Sequence, residues 1–220
     1  MEGIVVSKIK YNDYTLIINL ISEENGKKAY LKTISKKGKE QLFFEPLSLI
    51  EFNSERKGSN GWGRIKESKL LYRFPKKNPI IENCIRYFIS EFLFLTVHEE
   101  ENIPLFKFLK NFVFSFSSTD YSVLLLDFLF EIAPLKGLYI PEEKKPYFDL
   151  TESEYSLSQP GHKIYLNKDE LEAINNYVTK DKLSKLERRN TFQAMFKFYK
   201  FHFENLQRMK SLDVLKEILG

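Results

Sequence analysis

The side chains in this sequence that could do chemistry are mostly cations and aromatics, and they gather in its first third. Lys8, Lys10, Lys28, Lys32, Lys36, Lys37, Lys39, Lys57, Arg64 and Lys66 are interleaved there with Tyr11, Tyr30 and Trp62. Single-stranded nucleic acid asks for this combination: cations neutralise phosphates, and aromatic faces stack on bases for roughly 1–3 kcal/mol per base. The segment Ser35-Lys36-Lys37-Gly38-Lys39 is the densest in charge, and its glycine lets the backbone follow a strand without strain. Strand alternation puts Arg64 and Lys66 on one face, and Lys8 and Lys10 on one face if no bulge intervenes. The competing reading is that these lysines only solvate a surface and that Trp62 anchors a loop.

Catalytic groups are sparse by comparison. His98, His162 and His202 lie in separate segments without ligand-spaced partners, so no metal site is expected. His98-Glu99-Glu100-Glu101 reads as a solvated helix end. The glycines of Gly58-Ser-Asn-Gly61-Trp-Gly63 precede a strand and lack the Lys-Ser/Thr of a phosphate loop, so they read as a hairpin turn. No nucleophile elbow is present, and the single cysteine, Cys84, sits among Ile81, Ile85 and Phe88 with no activating partner. The expectation is a protein that is not an enzyme.

The elements that must position these residues follow from patterning. Apolar residues make up 43% of the 220, enough for a packed core. Residues 1–78 hold 16 Lys/Arg against 9 Asp/Glu, and the remainder 18 against 21, so the positive charge is concentrated at the N-terminus. Five strand-like runs, Gly3–Tyr11, Thr15–Ser22, Lys27–Ser35, Leu47–Ser54 and Gly63–Tyr72, are separated by turn signals. They predict a small barrel, with a five-stranded OB-fold as the economical choice and an SH3-like barrel as the alternative. Phe74-Pro75-Lys76-Lys77-Asn78-Pro79 marks a boundary between this module, 1–78, and a helical domain, 79–220. The overall expectation is an α+β multidomain chain.

In the second domain Ile81, Ile85, Phe88, Phe92 and Leu95 form one helical stripe, and Pro104–Phe116 and Tyr121–Leu138 predict two more helices. Residues 139–166, with Pro141, Pro146, Pro160 and Gly161, read as an irregular insert with strand-like pieces at Tyr147–Leu150 and Lys163–Leu166. Asn167 with Glu170 forms a capping box, a long helix runs from about Leu183 to Gln207, and Ser211 is expected to cap a last short helix. Phe192, Met195, Phe196, Tyr199 and Phe203 form a stripe that reads mainly as core, and Lys197, Lys200 and Arg208 could frame a partner site beside it. No secretory signal is visible and no apolar run approaches a bilayer span, so a cytoplasmic, membrane-free protein is expected.

The order of short motifs resembles the RecO family of bacterial recombination mediators. Gly3-Ile-Val-Val, Lys10-Tyr11-Asn-Asp-Tyr14 and Glu23-Glu24-Asn-Gly26 are similar to that family's opening strands, and Phe44-Glu-Pro46-Leu47-x-Leu49-Ile50-Glu51 to its Gln-Pro strand. Glu91-Phe92-Leu93, Glu99-Glu-Glu101-Asn102-x-Pro104-Leu105-Phe106, Tyr139-x-Pro141 and Tyr199-x-x-His202 with Lys210-Ser211-Leu212-x-Val214-Leu215 fall where the family has helical signatures. The resemblance implies an OB-fold followed by helices, and a mediator that binds single- and double-stranded DNA and anneals complementary strands. It also implies help in loading a recombinase onto strands coated with single-stranded-DNA-binding protein.

The partners the resemblance implies are RecR and the acidic tail of that binding protein, the tail expected near Arg188, Arg189, Lys197 and Lys200. Many members carry a four-cysteine zinc site, which a chain with one cysteine cannot build, so no cofactor is expected and residues 139–166 must be held by packing alone. The rival readings are an RNA-binding OB module, an assembly scaffold with solvated lysines, and a hydrolase using distant carboxylates.

Overall fold

The computed structural model describes the chain except residues 36–38, 57–61, 74–78, 99–101, 116–120, 143, 181, 214 and 216–220. The strand signals of the first third become β1 (Glu2–Asn12), β2 (Thr15–Ser22), β3 (Gly26–Thr33), β4 (Leu49–Arg56) and β5 (Gly63–Tyr72). They close a barrel in the order β1-β2-β3-β5-β4, with β3 parallel to β5 and the other pairs antiparallel. That order is the OB-fold's, and the parallel pair separates it from an all-antiparallel SH3-like meander. A short 3₁₀ turn, Lys39–Leu42, lies between β3 and β4.

Inward positions of the five strands, with Phe44 beside them, fill the barrel: Val5, Leu16, Ile18, Leu20, Tyr30, Ile50, Phe52 and Ile65. Tyr30 meets Phe52 edge to face at 5.2 Å between centroids. Its ring lies over Gly63 so closely that a Cβ there would sit 2.8 Å from the ring.

Strand β1 does not run straight. Its partners on β2 step from Val5–Leu20 to Ser7–Asn19, so Val6 is an extra residue in a bulge. Before the bulge β1 also pairs with β4 through Glu2, Gly3 and Ile4, and Val5 exchanges backbone hydrogen bonds with Leu47 and Ser48 at 2.7 and 2.9 Å. The Val6 carbonyl, displaced from the ladder, accepts a hydrogen bond from the buried Ser90 hydroxyl.

Ser90 belongs to α1 (Pro79–Thr96), whose buried face is Ile85, Phe88, Ile89, Phe92 and Leu93. Arg86 of the same helix is also buried; its guanidinium donates to the Pro46 carbonyl at 3.2 Å and to the Glu45 carboxylate at 3.4 Å. Arg73, just after β5, holds that carboxylate with Nε at 3.1 Å and a second nitrogen at 2.9 Å. Burial opposes ionisation of Glu45, but the two guanidinium groups outweigh it and hold its carboxyl below the usual value.

Helix α2 (Ile103–Ser115) packs by the barrel too: Lys110 pairs with Glu2, and Phe114 meets Tyr72 at 4.9 Å. The chain accordingly divides into two compact units that differ from the expected boundary at residue 78. One comprises Met1–Thr119 with Met209–Leu219, the other Asp120–Arg208. The C-terminal helical residues return to the first unit, where the Glu91 carboxylate accepts from the backbone N–H groups of Lys210 (3.1 Å) and Ser211 (2.8 Å). Ser211 was expected to be the cap. Among the described residues its buried hydroxyl has no hydrogen-bond partner, and the α1 carboxylate does the capping.

The second unit holds α3 (Tyr121–Leu135), a small sheet of β6 (Tyr147–Asp149), β7 (Glu154–Ser156) and β8 (Tyr165–Leu166), then α4 (Lys168–Thr179) and α5 (Lys185–His202). Gly137, at φ +69°, follows the end of α3 in the left-handed conformation of a helix stop. The Asn167–Glu170 capping box is formed, and a second, Ser184–Glu187, starts α5. That helix ends at His202 and a 3₁₀ turn, Glu204–Arg208, follows, because Phe203 leaves helical geometry. The buried Tyr199 hydroxyl reaches the Leu129 carbonyl at 2.6 Å, tying α5 to α3.

The insert at 139–166 is not held by packing alone. His162 Nε2 donates to Asp149 at 2.9 Å while its Nδ1 accepts from the Ile164 backbone, which fixes the tautomer. Asp149 also accepts from Thr151 and Glu152.

Two outcomes test these contacts. Glu45→Gln, which removes the carboxylate that Arg73 shares with the buried Arg86, should lower unfolding free energy by about 2–3 kcal/mol at pH 7 in urea melts. Because the folded-state carboxyl titrates below its unfolded value, its contribution is present above about pH 4.5 and fades as pH falls through the folded value. The difference between wild type and variant should therefore close in acid. Gly63→Ala should cost about 1–3 kcal/mol, read from the same melts, since the Tyr30 ring has Phe52 beside it and cannot yield freely.

Candidate functional site

The barrel's outer surface follows from register. Across β1, β2, β3 and β5 the residues Ile9, Ile17, Leu31 and Arg64 are direct neighbours, and they alternate with the buried positions Ile18, Tyr30, Leu16, Lys32 and Ile65. Ile9 is 50% exposed, Ile17 and Leu31 are half-buried, and Arg64 is exposed with its guanidinium 3.3 Å from the Thr33 hydroxyl. Asn19, bonded to the Ser7 hydroxyl at 2.7 Å, continues the face toward the bulge. At one end stands the β1–β2 hairpin with Tyr11 (65% exposed) and Tyr14; at the other, just before β5, stands Trp62 (42% exposed). The result is a strip of apolar sheet with aromatic side chains at two loops and a guanidinium at its rim. A flat unsaturated ring can lie on such a strip, and an anion can meet Arg64. Lys66, exposed on the same strand face as Arg64, is paired with Glu55 at 2.7 Å.

The residues anticipated from the sequence divide among several places. Tyr11, Trp62, Arg64 and Lys66 are on or beside this strip. Lys8 and Lys10 are exposed but lie on the opposite side of β1, across from the inward Ile18 and Leu16; Lys8 reaches the Gln41 carbonyl at 3.1 Å and Lys10 pairs with Asp13 at 2.9 Å. Lys28 is half-buried against Asn25. Two expectations are overturned. Tyr30 is a core residue and offers no stacking face, because it points inward in register with Ile18. Lys32 is 3% exposed, with its ammonium on the Lys66 carbonyl at 3.0 Å and near Glu40 at 3.8 Å, so it closes the barrel's interior and cannot reach a ligand on its surface. Lys36, Lys37 and Lys57 lie outside the described residues, as does the Lys39 side chain.

Ile9, Ile17 and Leu31 were missed because apolar strand residues read as core, and Tyr14 because it stands in the turn between β1 and β2. Their signal was the surplus of apolar positions in β1 and β2, more than one inward face can hold.

The basic cluster on α5 is also dispersed. Lys197 pairs with Glu170 at 2.7 Å, Arg188 donates to the Leu183 carbonyl at 2.7 Å, and Lys200 lies 5.1 Å from the Phe196 ring centroid. Arg189 is exposed. Among the described residues no group of three His, Cys, Asp or Glu converges as metal ligands, and with Cys84 alone the four-cysteine zinc site does not fit this chain. Among them, too, no helix is long and apolar enough to cross a membrane.

Comparison with known proteins agrees with this fold. Residues 1–74 match the family model described as Recombination protein O N terminal. The chain is 32% identical to the DNA repair protein RecO of Phocaeicola vulgatus, covering 99% of this chain and 98% of that one. It is 30% identical to the protein of the same name from Bacteroides fragilis, covering 98% and 97%. For that of Flavobacterium psychrophilum the figure is 29%, covering 100% and 98%. A barrel of this topology at the matched N-terminus and a likeness that runs through the helices to the other end lead to one conclusion: the chain belongs to the RecO family of DNA repair proteins.

Proposed function

We propose that the protein is a non-catalytic recombination mediator that holds single- and double-stranded DNA on the outer strip of its barrel, anneals complementary strands, and assists recombinase loading onto strands coated with single-stranded-DNA-binding protein. The observation that carries this reading is the strip itself: Ile17 and Leu31 on β2 and β3, flanked by Tyr11, Tyr14 and Trp62, with Arg64 and Lys66 at the rim. In an OB-fold the β2–β3 face and the loops after β1 and before β5 are where oligonucleotides lie. Bases stack on the aromatics while the rim cations take phosphates, leaving the base edges that a second strand must read uncovered. Annealing then needs only that repulsion between two backbones be screened, so no nucleophile or metal has to act. RecR and the acidic tail of the single-stranded-DNA-binding protein are the partners that go with this role. On the helical unit Arg189 is exposed and is the cation we expect to meet such a tail, with Lys200 about three turns further along the same helix.

The test is fluorescence polarisation of a labelled single-stranded oligonucleotide across a salt series. Tyr11→Ala/Trp62→Ala should weaken binding by about 1–3 kcal/mol per lost stack with little change in salt slope. Arg64→Ala/Lys66→Ala should lower the log–log slope by about 1.4, at ~0.7 per single-strand phosphate contact. Equal binding by all three proteins would remove this surface from the role. Tighter binding of RNA than of DNA of the same sequence would favour an RNA-binding module instead.

A further inference from the structure

Beyond the Val6 bulge, β1 pairs on one side only. Residues Ser7–Asn12 face β2, and β4 takes no part after Ile4. Val5 turns its own N–H and C=O toward Ser48 and Leu47, so Leu20 opposite it must direct its groups to β3. Regular alternation along β2 then sets Lys8–Ile18 and Lys10–Leu16 as non-hydrogen-bonded pairs, in which the backbone N–H and C=O of Lys8 and Lys10 point away from the sheet. No described residue receives them. Among the described residues this is an open edge, exposed from Lys8 through Asn12, with two lysines on one face and Ile9 on the other, and with Tyr11 in a second bulge before Asn12.

We propose that this edge accepts an extended segment of another protein, paired antiparallel to β1, whose residues alternate between acidic and apolar. Alternation fixes the pattern: side chains opposite Lys8 and Lys10 share the lysine face, and the one between them joins Ile9. Charge fixes the sign. Lys10 already holds a carboxylate, that of Asp13 at 2.9 Å, and Lys8 rests on the Gln41 carbonyl; both contacts are solvent-exposed and cheaply exchanged for a partner's acids. The same charges exclude a second copy of this chain. Antiparallel self-pairing centred on Ile9, which would join the apolar faces, sets Lys8 directly opposite Lys10, and like charges across a strand pair are destabilising. The strand site borders the proposed nucleic-acid strip and shares Ile9 with it, but it uses the backbone edge of β1 and does not depend on that strip's binding DNA.

The probe is a labelled, blocked hexapeptide alternating Glu and Val, titrated into the full-length protein, with hydrogen–deuterium exchange followed at single amides. The peptide should slow exchange at Lys8 and Lys10. N-methylation at its Glu residues, which removes the donors that antiparallel pairing uses, should weaken binding at least about tenfold, while N-methylation at its Val residues should not. Lys8→Glu/Lys10→Glu should lose the Glu–Val peptide and gain an alternating Lys–Val peptide, a reversal that misfolding cannot mimic. Any of three results overturns the proposal: equal affinity for the peptide N-methylated at Glu, protection of Lys8 and Lys10 by an oligonucleotide but not by the peptide, or a peptide-free dimer in which those amides are already protected.

Discussion

A barrel of five strands closes only where its first strand is paired on both edges, and here β1 is paired in that way from Glu2 to Val5 alone. The bulge at Val6 is where the constraint is relieved. It takes a carbonyl out of the ladder, and a buried carbonyl with no donor costs about 1–3 kcal/mol. Ser90 of α1 supplies the donor. The helix is therefore part of the barrel's closure, and the Glu45–Arg73–Arg86 cluster fixes it from the other side by joining α1 to the segments before β4 and after β5. Around a desolvated cation such as Arg86 the arrangement is intolerant, because one carboxylate, that of Glu45, is shared by two guanidinium groups.

This explains why the strands were legible in the sequence and the compact unit was not. Strand limits came from local signals, such as Asn12-Asp13 and Glu24-Asn25-Gly26, and two strands, β2 and β5, begin and end as read. The proline-rich stretch after Tyr72 also marked the change from strand to helix correctly in sequence. What it could not reveal is that Ser90, Arg86 and Lys110 find their partners 40 to 108 residues away in the barrel, at Val6, Pro46 and Glu2. Nor could the cap on the C-terminal helix be read locally, since a serine in the right place was available and the carboxylate of Glu91, 120 residues earlier, took the role.

Face assignments failed for a different reason. β3 reads Gly-Lys-Lys-Ala-Tyr-Leu-Lys-Thr, with polar and apolar residues on both parities, so nothing in the strand says which set is inside. Its register with β2 decides: Tyr30 and Lys32 stand opposite Ile18 and Leu16 and go in, while Leu31 stands opposite Ile17 and goes out. A lysine is tolerated inside because its stem is apolar and its ammonium finds the Lys66 carbonyl at the barrel's end. The positive charge counted in residues 1–78 thus overstates what the surface offers. Lys32 is spent on the interior, Lys66 and Lys10 are held in surface pairs with Glu55 and Asp13 that a phosphate must displace, and the outer strip is more apolar and aromatic than cationic. A surface of that kind gains more from stacking than from counterion release, so its contacts should be less sensitive to salt than a lysine-lined groove would be.

The bulge also decides what each face of β1 is for. With Val5 pointing inward, an unbroken strand would carry Ser7, Ile9 and Tyr11 into the barrel and turn Lys8 and Lys10 out across β2 and β3. One inserted residue reverses this, because a slip of one position sends every later side chain to the other face. Ile9 is thereby delivered to the outer strip next to Ile17, and the two lysines are left at the mouth, where their own backbone groups form the open edge. Lysines on an exposed edge are a common defence against pairing with a like chain. Here the same residues make the edge selective instead of closed, since a strand that brings carboxylates meets attraction where a second copy meets repulsion.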